Sequence, residues 1–187
     1  MPEATRMSEA EVAIRLAERF LMFPGAADHA TVAIDGAVVE IAGRGRLFEI
    51  EEFLSANKWK QTQQEGKRSW RGVYSRGDKQ LHISSSSGTA DVLLQLGNRR
   101  VVAECKGGPL IKRRGSPEHR ILKEALGQAL TWNGYADDLL IVAVPDTQWF
   151  RPLVTSWQQR PLVLKAGIQI ALVAPTGAVS GFDFRDR

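Results

Sequence analysis

Asp91, Glu104 and Lys106 are the residues of this chain whose types and spacing can do chemistry together. Twelve residues separate Asp91 from Glu104, with Gly97-Asn98 at their midpoint. A glycine followed by Asn favours the two-residue loop of a β-hairpin. With that loop, Leu96 faces Arg99 and Asp91 faces Glu104. Directly opposed residues carry Cβ atoms about 4.5–5.5 Å apart, so two like charges there destabilise the sheet unless something compensates. A divalent cation would compensate. Side chains alternate along a strand, so Glu104 and Lys106 share a face and Cys105 points the other way. Mg²⁺ takes oxygen ligands, rests on one or two carboxylates and keeps waters and substrate phosphates in its shell. Such an ion suits phosphodiester hydrolysis, because it lowers the pKa of bound water and polarises the phosphoryl oxygen. The Lys106 ammonium can orient the nucleophile or stabilise the charge that develops on phosphorus.

The elements that must hold these groups can be traced along the chain. Ser8 to Met22 predicts an amphipathic helix, with Ser8-x-x-Glu11 in the form of a capping box and Ala13, Leu16, Ala17 and Phe20 as its stripe. Thr31 to Ile41 predicts a hairpin turning at Asp35-Gly36. Together these make an N-terminal extension, residues 1–43, before a domain over residues 44–187. A second helix is expected from Leu47 to about Asn57, then strands near Trp59–Gln63, Ser69–Tyr74 and Leu81–Ser84. After the central hairpin come Gly107-Gly108-Pro109 and the basic loop Lys112-Arg113-Arg114. A helix starting at Ser116 or Pro117 follows, with Ile121, Leu122, Ala125, Leu126, Ala129 and Leu130 as its apolar stripe and Arg120, Glu124, Gln128 and Thr131 along a polar edge. Leu139 to Val144 is apolar without alternation, the mark of a strand covered on both faces, reached from the hairpin by a parallel crossover. A short helix near Pro152–Gln158 and strands around Gly167–Val173 and Val179–Phe184 complete an α/β fold: a mixed central β-sheet flanked by helices.

Composition narrows the function. At 187 residues and 43% hydrophobic content the chain can bury one good core. A single cysteine excludes an internal disulfide and a Cys-based zinc finger, and three scattered histidines, His29, His82 and His119, give no i, i+4 zinc pair. No apolar run approaches the ~20 residues of a membrane span, and the N-terminus lacks a signal-peptide design, so a cytoplasmic location and no membrane partner are expected. The net charge of +4 permits a polyanionic partner.

Residues from Leu47 to Val144 resemble the core of the PD-(D/E)XK nucleases, the restriction-endonuclease-like fold. Gly88-Thr89-Ala90-Asp91-Val92 is similar to the first half of the family motif, with Ala90 where proline often stands, and Glu104-Cys105-Lys106 is similar to the second. The resemblance implies a Mg²⁺-dependent deoxyribonuclease, an endonuclease, with Mn²⁺ as a substitute ion and DNA as partner. It implies that Asp91, Glu104 and the carbonyl of Cys105 hold the metal and that Lys106 serves the attacking water. Gln128, four residues before Trp132, resembles a Gln-x-x-x-Tyr motif of some subfamilies. Many members also carry a glutamate on the helix before the first strand, for which Glu49 fits better than Glu51. If the site is real, Lys112, Arg113, Arg114, Arg120 and Lys123 lie near the scissile phosphate and contact the DNA backbone.

Glu-x-Lys alone is a weak signal. Glu65-Gly66-Lys67 also matches, but no Asp precedes it at a suitable distance and no hairpin frames it. The competing structural reading makes Asp91 and Glu104 a pair of carboxylates satisfied by Lys106, and Gln128 a solvated helix edge. An alternative function follows: a catalytically inactive DNA-binding or assembly module in a restriction, defence or repair complex. The helix and hairpin before Gly43 could also serve as the interface of a homodimer.

Overall fold

The computed structural model describes residues 6–34, 40–41, 45–46, 48–85, 90–111, 115 and 117–182, with only the backbone at 40–41 and 45–46. Its centre is a nine-stranded mixed sheet. The strands in chain order are β1 (Arg6–Met7), β2 (Ala26–Ala33), β3 (Glu40–Ile41), β4 (Gly45–Arg46), β5 (Lys60–Gln64), β6 (Gly72–Arg76), β7 (Lys79–Ser84), β8 (Val92–Leu96), β9 (Arg99–Cys105), β10 (Gly108–Pro109), β11 (Leu139–Pro145), β12 (Gln169–Val173) and β13 (Val179–Ser180). The helices are α1 (Glu9–Leu21), α2 (Ile50–Ala56), α3 (Pro117–Leu130), α4 (Phe150–Gln158) and α5 (Pro161–Lys165). The sheet runs β13-β12-β11-β9-β8-β2-β7-β6-β5, and two small ribbons, β1-β10 and β3-β4, stand outside it.

The expected central hairpin forms. β8 and β9 pair antiparallel from Leu96↔Arg99 to Val92↔Ala103. Gly97 takes φ +58° and Asn98 stays at negative φ, the pattern of a II′ turn, whose twist matches the flanking strands. β9 then crosses through α3 to β11, which lies parallel beside it, Val142 against Glu104 and Ala143 against Cys105. The unalternated run of β11 is explained by its two coverings. Ile141 and Ala143 enter one core with α1, whereas Val142 and Val144 enter a second with Leu122, Ala125, Phe150 and Trp157 of α3 and α4.

β1, α1 and β2 pack directly with the elements that follow them. β2 lies inside the sheet, parallel to β7 and antiparallel to β8. The Asp35-Gly36 turn lies outside the described residues, but Glu40-Ile41 pairs with Gly45-Arg46, and Thr31–Ala33 pair with β7 and β8 instead of closing a local hairpin. α1 begins at Ser8, whose Oγ accepts the Glu11 N–H at 3.0 Å. The Glu11 carboxylate does not complete the capping box; it takes the Arg15 guanidinium at 2.9 and 3.0 Å. Ala10, Val12, Ala13, Ile14, Leu16, Ala17, Phe20 and Leu21 are all buried, more than one stripe, because the helix is enclosed on several sides. Such a helix offers no broad apolar face to a second copy.

Candidate active site at the end of β9

β8 and β9 fix the faces. Val92, Leu94, Val101, Ala103 and Cys105 point into the core shared with α1. Asp91 and Glu104 fall at the alternate positions, so they belong to the face that carries α3. One step beyond Val92↔Ala103 in the same register sets Asp91 opposite Glu104. Asp91 is also the residue that closes the ladder. The Lys106 N–H points to β11, donating to the Ala143 carbonyl at 2.9 Å, so the Cys105 N–H points to β8. There it meets the Asp91 carboxylate, Oδ2 at 2.7 Å. A side-chain oxygen thus stands where a main-chain carbonyl would continue the strand, while the Asp91 carbonyl accepts the Ala33 N–H from β2 at 2.9 Å.

Lys106 follows the last residue of β9 and reaches the end of the sheet, where its Nζ lies 3.3 Å from Glu9 Oε2 at the start of α1. Glu9 is the glutamate that the fold delivers to this cluster, and nothing in its local sequence marks it. It gets there because β1 pairs with β10, Arg6↔Pro109 and Met7↔Gly108, across just over a hundred positions. Glu49 stands at the start of α2, where its carbonyl accepts the Phe53 N–H. α2 packs through Ile50 and Leu54 into the core shared with α1.

The electrostatics follow from that crowding. Burial, with Glu9 and Glu104 nearby, pushes the Asp91 carboxyl up to about 7 against the pull of the Cys105 N–H and Lys106. Burial also raises Glu104, helped by Glu9 and opposed by Lys106. At Lys106 burial acts to lower the ammonium, but the charges of Glu9 and Asp91, with Glu124 on α3, outweigh it and its pKa ends raised. Four carboxylates, those of Glu9, Asp91, Glu104 and Glu124, therefore press on one lysine. Cys105 is fully buried on the other face, with its thiol pushed far up by desolvation, which leaves it a packing residue and not a nucleophile.

The other sequence candidates are dispersed. Gln128 is exposed on α3, one turn beyond Glu124, and its carbonyl takes the Thr131 hydroxyl. Trp132 is occupied at the far end of the helix, donating Nε1–H to Asp138 Oδ2 at 2.8 Å. Arg120 and Lys123 are exposed on α3. Gly88 and Thr89 of the half-motif and the loop Lys112-Arg113-Arg114 lie outside the described residues. Glu65, of the other Glu-x-Lys tripeptide, pairs with His82 at 2.9 Å.

The donors at the cluster are all oxygens, a hard set that fits Mg²⁺ better than a soft ion. Among the described residues no three or more His, Cys, Asp or Glu side chains stand together as a ready metal-ligating group, so in this arrangement an ion would rest on at most two carboxylates, the number Mg²⁺ commonly uses. No helix among the described residues is long and apolar enough to cross a membrane. No family model, curated protein or solved structure matches the chain.

Proposed function

We propose that the chain is a divalent-metal-dependent deoxyribonuclease of restriction-endonuclease-like architecture, cutting DNA endonucleolytically. The observation that carries this reading is the convergence of Asp91 and Glu104 on one face at the end of β9 with Lys106 beside them, a cluster whose acids outnumber its base. In this reading the Asp91 and Glu104 carboxylates and the Cys105 carbonyl hold Mg²⁺, with Mn²⁺ as a substitute. The bound ion supplies positive charge that acidifies water and polarises the phosphoryl group.

The protein's own contribution is placement. Asp91 is held by the Cys105 N–H, which leaves its second oxygen available to a ligand. Lys106 stays protonated in the cluster, so its ammonium acts as a fixed donor that orients the attacking water and meets the charge growing on phosphorus. Glu104 emerges from a strand paired on both sides, so its carboxylate is set by a rigid element. Arg120 and Lys123 on α3 bind the DNA backbone.

One observation favours an inactive DNA-binding or assembly module instead. The cluster already satisfies part of itself, Asp91 through the Cys105 N–H and Lys106 through Glu9. The two readings part on incubation of the protein with linear, circular, branched and single-stranded DNA, with and without Mg²⁺. A nuclease cuts circular duplex only when Mg²⁺ is present, and Asp91→Ala or Lys106→Ala abolishes the cutting while DNA is still bound. Cutting that survives both substitutions removes the assignment, and intact DNA throughout favours the module.

A further inference from the structure

Between Lys106 and β10 the backbone of Gly107 passes so close to the start of α1 that a side chain has no room. A Cβ there would lie 2.7 Å from the Glu9 nitrogen, 2.7 Å from the Met7 carbonyl oxygen and 2.9 Å from the Ser8 carbonyl carbon. All three are main-chain atoms, which cannot swing aside as the tip of a side chain can. The next residue is confined from the other side, since a Cβ on Gly108 would stand 3.0 Å from the Phe150 ring and 3.4 Å from Pro145. The Gly-Gly step is thus threaded between α1 and α4, with Met7 and Gly108 paired across it and Met7 fully buried. Ser8 caps the first turn of α1 from inside the same contact, itself nearly buried.

That approach decides where Glu9 stands. Its carboxylate meets Lys106 Nζ at 3.3 Å, and an outward shift of α1 by about 0.7 Å, which would take a methyl at Gly107 from 2.7 Å to ordinary contact at 3.4 Å, carries that pair beyond hydrogen-bond reach. The geometry points to a clasp: Gly107 and the β1–β10 ribbon seat the first turn of α1 so that Glu9 holds Lys106 in place. Glu9 is therefore a positioning residue for the lysine, and Gly107 positions Glu9. The consequence for cleavage rests on the nuclease reading, whereas the clasp itself does not.

Two readouts separate them. In the ion-free protein, acetic anhydride modifies lysines at rates that mass spectrometry follows residue by residue, with exposed Lys123 as the internal reference. Lys106, ion-paired and mostly buried, is expected to react slowly in the wild type and several-fold faster in both Glu9→Gln and Gly107→Ala. With Mg²⁺ and DNA, kcat is expected to fall by about tenfold or more in each, as for supporting residues in other sites, while DNA affinity holds. The double variant should be no worse than the poorer single one, because both act on one contact. Lys106 as protected in Gly107→Ala as in the wild type, or losses in kcat that multiply, overturns the clasp. Should Gly107→Ala not fold, Ser8→Ala, which loosens the same first turn, is read in the same way, and unchanged Lys106 reactivity there is equally fatal. A wild type that cuts nothing defeats the nuclease reading alone, and lysine modification still decides the clasp.

Discussion

Asp91 carries an unusual burden for a carboxylate, and it should show in the pH dependence of stability. Its folded pKa of about 7 stands well above the ordinary 3.8. Between those values the unfolded chain has lost a proton that the folded chain still holds, so stability falls as pH rises from about 4 to about 7 and then levels. At about 1.4 kcal/mol per pKa unit the loss amounts to a few kcal/mol. Asp91→Asn keeps an acceptor for the Cys105 N–H and removes the charge, so in the ion-free protein it should flatten this slope and raise Tm at pH 8. A variant that melts lower than wild type at pH 8 would contradict it. Asp138 works with the opposite sign. It receives Arg100, Trp132 and the Tyr135 N–H, and the Arg100 guanidinium first, then those other donors, hold its carboxyl down to about 2. Its stabilisation is complete above 3.8 and disappears as pH falls toward 2. Asp138→Asn should therefore lose much more stability at neutral pH than at pH 2, where the folded carboxyl is already half protonated, as thermal melts at the two values will read.

The elements were legible in the sequence where chemistry is local. Gly97-Asn98 set the register that opposes Asp91 to Glu104, the stripe of Ile121, Leu122, Ala125 and Leu126 gave α3, and the unbroken run from Leu139 gave a doubly covered strand parallel to β9. What escaped depends on long-range pairing. β2 reads locally like half a hairpin but takes β7 and β8 as neighbours, and Gly107-Gly108-Pro109 reads like a loop but receives the N-terminal strand. For that reason Glu9 could not be singled out, although the register of Asp91, Glu104 and Lys106 could. The stripe of α1 also understated its burial, because Val12, Ile14 and Leu21 are enclosed as well. Phe20→Ala in this helix should cost about 3–5 kcal/mol, the usual range for a buried aromatic, measured by denaturant unfolding; a loss below 1 kcal/mol would mean that α1 is peripheral.

At the scale of the whole molecule α1 and β2 are structural parts of the sheet core. α1 spans the faces of β2, β8, β9 and β11, and β2 joins the β8–β9 hairpin to β7. Residues 44–187 expressed alone should lack β2 and α1 and therefore fail to fold cooperatively; a sharp thermal transition in that fragment would show that they form a separate unit. The same integration puts the candidate site where two helical layers and the sheet end meet, with α3 on one side and the start of α1 on the other. On the proposed function this meeting point takes a divalent cation, which calorimetric titration of the ion-free protein with Mg²⁺ will check. Ion binding needs the Asp91 carboxylate deprotonated, so the wild type should bind Mg²⁺ with release of about one proton at pH 6 and almost none at pH 8.5. Asp91→Asn and Glu104→Gln should show no binding at the same concentrations. Equal affinity in those variants, or no heat from the wild type at either pH, would mean that these carboxylates do not hold the ion.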